Sequence, residues 1–174
     1  LEALDEGWVD ETGFQFLRAE LTRRRDYRRL AKCYDARLAG ATPLAARELY
    51  IEYLAIPEGI SEDKRDELAI KAFESDKNLD RPLRERFSHY QSVDDPERLG
   101  RLLKQLLESN ELSSLARQKW LNLAVEILVD CVDESRFGVL RFAYEQLLDL
   151  SEDREAVLLT AVKTLELATN ISLL

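Results

Sequence analysis

The chain has 174 residues, 45% of them hydrophobic and 34% charged, and its 25 Lys and Arg against 34 Asp and Glu leave a net charge of −9. That much apolar side chain excludes a disordered acidic tail, and six Gly with four Pro exclude a collagen, a flexible linker and a turn-rich all-β domain. Two cysteines are too few for a disulfide framework, no run of about 18 apolar residues offers a membrane span, and the negative balance argues against a general nucleic-acid binder. The length suggests one domain over 1–174. The absence of Met and the start at Leu1 read as a piece of a longer protein.

Short polar acceptors mark the helix starts in chain order, because each can satisfy an orphan N–H of a first helical turn. The first is Asp10 or Thr12, then Asp26, then Thr42 before Pro43, then Ser61 before Glu62 and Asp63. Asp80 opens a fifth helix, in which the lone His89 sits near the end, where a positive charge suits the dipole. Asp95 precedes Pro96 and a stripe of Leu99, Leu102, Leu103, Leu106 and Leu107, the i, i+3, i+4, i+7, i+8 spacing of one helix face. Asn110 opens the next, with Leu112, Leu115, Leu123, Ile127 and Leu128 on one face and Trp120, Leu121, Ala124, Val125, Val129 and Val132 widening it. Asp133 leads into Phe137, Leu140, Tyr144, Leu147 and Leu148. Ser151 leads into Val157, Leu158, Ala161, Val162, Leu165 and Ala168. No alternating run argues for a strand. Gly100 and Gly138 fall inside helices and are expected to mark close helix contacts. Cys33 and Cys131 read as reduced, buried thiols of a cytoplasmic protein.

The caps recur. Asp26 to Ser61 is 35 residues and Ser61 to Asp95 is 34, the length of one helical hairpin in a solenoid. Tyr27, Leu30, Ala31 and Tyr34 follow the bulky, Leu, small, aromatic order of a tetratricopeptide first helix. Ala46, Tyr50 and Pro57 fall near the small, bulky and terminal Pro positions of its second helix, with three extra residues in the turn. Leu99, Gly100 and Leu103, then Ala116 and Trp120, make a second partial match. Over about half its length the chain therefore resembles the tetratricopeptide family. The resemblance implies an all-α fold of antiparallel hairpins stacked as a right-handed α-solenoid, with a concave surface for peptides or protein segments. A non-repeating helical bundle is the alternative.

Charge is uneven along the chain. Arg18, Arg23, Arg24, Arg25, Arg28, Arg29, Lys32 and Arg37 face only Glu20, Asp26 and Asp35 within 20 positions, so this segment carries +5 and the remainder −14. Arg25, Arg28, Arg29 and Lys32 are expected on one face of the helix beginning near Asp26. Arg forks there match carboxylate or phosphate. A solvated face paired with acidic neighbours is the competing reading. Ser61-x-x-Lys64 spells the serine–lysine pair of penicillin-recognising enzymes, but its companion motifs are missing. Asp94–Asp95 and Glu152–Asp153 sit at helix starts, where capping accounts for them. No catalytic, metal or cofactor site is expected. The function read from these features is a non-enzymatic interaction or scaffolding domain. Its contact patch is Arg25, Arg28, Arg29 and Lys32, and its partner an acidic protein or peptide. The alternative is a nucleic-acid-associated or regulatory helical module of a larger enzyme.

Overall fold

A computed structural model describes residues 10–109, 112–129 and 134–171. Among these residues the backbone forms nine α-helices and no strand. They are α1 (Glu11–Arg24), α2 (Tyr27–Ala39), α3 (Pro43–Leu54), α4 (Glu62–Ser75), α5 (Arg81–Ser92), α6 (Pro96–Glu108), α7 (Ser114–Val129), α8 (Glu134–Leu150) and α9 (Arg154–Ile171). Contacts divide the chain into two compact units, one up to Arg84 and one from Glu85 on, with the division inside α5.

The helices start where short acceptors stand. Asp10 accepts from the Gly13 N–H (2.7 Å), Asp26 from Arg29 (3.3 Å), Thr42 from Ala45 (3.4 Å), Ser61 from Lys64 (3.2 Å) and Asp95 from Arg98 (3.0 Å). Pro43 and Pro96 are first helical residues, where a missing N–H costs nothing. Two starts differ from expectation. Ser113 caps α7 by accepting from the Ala116 N–H (3.2 Å). Asp153 caps α9 by accepting from Ala156 (3.0 Å), while Ser151 accepts from Asp153 and shapes the turn before it. The expected caps Asn110 and Asp133, with Cys131 and Val132, lie outside the described residues, as does the Ala168 side chain.

In the first unit each helix packs on the next, α1 on α2, α2 on α3 and α3 on α4. The core joins Phe14, Leu21, Leu30, Tyr34, Leu49, Tyr53 and Leu68 with the Cys33 thiol. The Tyr34 and Tyr53 rings stack at 5.2 Å, and Phe14 meets Tyr34 edge-on at 5.2 Å. Both phenols donate outward, Tyr34 to Glu52 (3.1 Å) and Tyr53 to Asp35 (3.0 Å).

The second unit has a leucine-rich core, with buried polar pairs beside it, Arg86 to Tyr90 (2.7 Å) and Tyr144 with Thr164 (3.0 Å). Leu99, Leu102, Leu103, Leu106, Trp120, Leu121, Leu140 and Ala143 are almost wholly buried, and α6 touches both α7 and α8. Burying each such leucine is worth about 1.5–3 kcal/mol. Phe87 packs on Trp120 at 5.4 Å. Gly100 is there for contact: a Cβ at this position would stand 2.8 Å from Val139 Cγ2. Gly138 has nothing within 4 Å of its would-be Cβ, so the expected close approach is absent there.

Several apolar residues expected inside are exposed. Leu115 is 78% exposed because α7 starts at Ser114 and its first turn faces outward. Val129, Phe137, Leu158 and Val162 are also exposed. α9 packs on α8, and among its described side chains those of Ala161 and Thr164 are buried. Periodicity shows that a helix has an apolar stripe, but not how much of that stripe a neighbour covers.

Arginines tie helix ends to the helices that follow. Arg65, in α4, donates to the Leu54, Ile56 and Pro57 carbonyls at 3.1, 2.6 and 3.1 Å, closing the end of α3. Arg117, in α7, does the same for α6 through the Leu107, Ser109 and Leu112 carbonyls at 2.7, 2.9 and 3.3 Å. Both satisfy carbonyls that a helix terminus leaves without intrahelical partners.

Candidate interaction surface

The basic segment spans the end of α1, a tight turn and α2. Arg25 occupies the left-handed region (φ 57°). The Asp26 N–H reaches back to the Leu21 carbonyl (3.0 Å) and the Arg25 N–H to that of Thr22 (3.1 Å), which is a Schellman turn. Arg25 therefore lies on the turn and not on the helix face where sequence reading puts it. The signal for a left-handed turn is ordinarily Gly or Asn, and here there is neither. Tyr27 begins α2. Arg28 and Lys32 stand one turn apart on its exposed side, while Arg29 leans back to Asp26 (3.4 Å).

Five of the segment's eight cations are ion-paired, Arg29 included. Arg18 pairs with Glu52 (3.0 Å), Arg37 with Glu11 (2.6 Å), and Arg23 and Arg24 both with Glu20. Hydrogen bonds from Arg23 and Arg24 hold the Glu20 carboxyl down to about 2. Bonds from Gln15 and Arg37 lower Glu11. Among the described residues Arg25, Arg28 and Lys32 have no ion-pair partner, and all three are exposed. Asp35, the next acid along α2, is taken by Tyr53 and Lys64 (3.4 Å).

The location is electrostatically adverse. α1, α4, α6 and α9 each place an acid in the first turn, whereas that of α2 has none and instead carries Arg28 and Arg29. Cations at a helix N-terminus oppose the dipole. The aromatics of the segment turn inward: Tyr34 is buried and Tyr27 half-buried. Neither offers an open ring to a nucleic-acid base.

A loop braces the turn from beside it. Gly59 (φ 81°) packs on the first turn of α2, and a Cβ there would lie 3.1 Å from the Arg28 nitrogen and the Tyr27 carbonyl carbon. Sequence reading missed this loop. Gly59 after Pro57 and Glu58 was its only signal.

The remaining candidates have ordinary structural duties. Ser61 caps α4. Burial acts to lower the Lys64 pKa, but bonds and charge from Glu67 and Asp35 outweigh it and leave it raised. A lysine that activates a serine needs the opposite. His89 lies in the last turn of α5. Burial pushes the Cys33 thiol up, away from the reactive thiolate. Asp94 pairs with Arg136 and Asp95 caps α6, at the rim of a pocket of about 200 Å³ lined also by Tyr90, Leu99 and Leu128. Among the described residues no group of three His, Cys, Asp or Glu could hold a metal ion. No helix of the described residues is long and apolar enough to cross a membrane. No family model matches the chain, and neither the curated proteins nor the solved structures yield a match.

Proposed function

We propose that this chain is a non-enzymatic protein-interaction module of hairpins stacked in tetratricopeptide-like fashion, and that, of the four cations expected from the sequence, Arg25, Arg28 and Lys32 dock an acidic segment of a partner protein, Arg29 being held by Asp26. One observation carries the reading. The acids of the first unit neutralise Arg18, Arg23, Arg24 and Arg37 but leave Arg25, Arg28 and Lys32 exposed and unpaired among the described residues. Exposed pairs add little to stability, so these three cations cost the fold little by staying open to a partner. The stacking is supported by α6 reaching past α7 to α8, as repeats contact repeats. The free, buried Cys33 is in keeping with a cytoplasmic, reducing setting.

The test is a titration of a fluorescein-labelled Glu-rich peptide against wild type and an R25E/R28E/K32E variant. The expected result is about tenfold or greater loss of affinity in the variant, with wild-type binding weakening as salt rises. Equal affinity for both proteins overturns the reading.

A further inference from the structure

We infer that the partner presents an α-helix to this surface, with carboxylates four residues apart meeting Arg28 and Lys32 and a third at Arg25. The inference rests on the acidic-partner reading above and deepens it.

Three features of the surface select a helix. Arg28 and Lys32 are separated by one turn of α2, about 6 Å along the axis, and carboxylates four apart on a partner helix repeat that rise. Among the described residues the chain offers helices only, with no sheet edge to pair the backbone of an extended peptide. A helix brings its own backbone hydrogen bonds and asks only for side-chain partners. Asp35 then ends the cationic row. It is half-exposed and held in place by Tyr53 and Lys64, so an acid of the partner level with it would be repelled. The matching acidic row is therefore short, and its register is set by Asp35 at one end and the Arg25 turn at the other. Arg29 is already committed to Asp26 and lies outside the contact.

A polyphosphate backbone fits this surface less well. The aromatic rings beside the cations face inward and leave no ring for a base to stack on.

The experiment uses three labelled peptides of one composition and the whole chain. In the first, three Glu recur every four residues on an alanine–glutamine helix that ends in one proline. In the second, they are spread around the helix. The third is the first with its central alanine exchanged for proline, the displaced alanine being moved to the end from which that proline was taken. A single-stranded oligonucleotide is the fourth probe. The first peptide is expected to bind about tenfold or more tightly than the second and third. R28E/K32E should abolish that preference and R29E should change affinity less than about threefold, with circular dichroism confirming that both variants remain folded. If the three peptides bind alike, the helical register is overturned while the acidic-partner reading stands. Loss with R29E as large as with R28E/K32E overturns the choice of contact residues. If no peptide binds, whether or not the oligonucleotide does, both readings fall.

Discussion

In the first unit, α1, α2 and α3 are joined by Arg18–Glu52, Arg37–Glu11, Tyr34–Glu52 and Tyr53–Asp35. In the second, α6 meets α7 and α8 through Leu99, Leu102, Leu103, Leu106, Trp120 and Leu140. The contrast bears on where function can be sited. Apolar packing tolerates little change in shape and is nearly indifferent to pH. A network of carboxylates, phenols and guanidinium groups is sensitive to both pH and salt. The proposed docking surface sits on the polar unit, where some cations are satisfied internally and others are held in reserve.

The comparison can be broken most forcefully in the leucine core. Leu103→Ala should cost about 2–5 kcal/mol. Regional hydrogen exchange should show the loss in residues after Glu85, with protection before Arg84 retained. Uniform loss would mean that the two units unfold as one.

Gly100→Ala should cost about 1–3 kcal/mol by driving a methyl into Val139, and Val139→Ala should recover part of it in a double-mutant cycle. Denaturant titration of the four proteins reads this coupling directly.

The polar unit is tested by pH. Burial, with the charge of Glu52 next, pushes the Tyr34 phenol up to about 12, and burial likewise raises Tyr53. Their folded values exceed the unfolded value near 10. This contribution is therefore complete below about pH 10 and is lost as pH rises toward 12 and above. On the acid side, Glu20 and Glu11 are held down by their partners, and Glu67 is lowered because bonds from Lys71 and Lys64 outweigh its burial. Stability from these groups is present above about 4.5 and is lost as pH falls toward 2. Exchange protection before Arg84 should thus fail first at both extremes. Tyr34→Phe should cost about 1 kcal/mol at neutral pH and blunt the alkaline loss. Simultaneous failure of both units would refute the contrast.

The smallest effect is the most diagnostic. Arg28→Glu replaces a cation with an anion at the start of α2 and should raise stability by a few tenths of a kcal/mol, while weakening the acidic peptide about tenfold. Thermal melting and peptide titration of one variant would show the two moving in opposite directions.

How much of this was legible beforehand depended on how local its cause was. Asp26, Thr42, Ser61 and Asp95 were readable as caps because each acts within three residues of itself. The Leu99–Leu107 stripe was readable because helical period alone defines it. The exposure of Leu115, Leu158 and Val162 was not, because it depends on where neighbouring helices stop. At the surface, sequence identified the cations but not which were neutralised, since Arg18–Glu52 and Arg37–Glu11 join residues far apart in the chain. The displacement of Arg25 onto the turn carried no residue signal at all.

Arg65 gives the proposed docking surface a remote foundation. It grips the carbonyls of residues 54, 56 and 57, and the segment it grips leads to Gly59, whose backbone lies on the first turn of α2. The pitch of Arg28 toward a partner is thus inherited from a side chain that would never touch that partner. Aim and charge are separable properties of this surface, so one can drift through changes in α4 while the other stays constant.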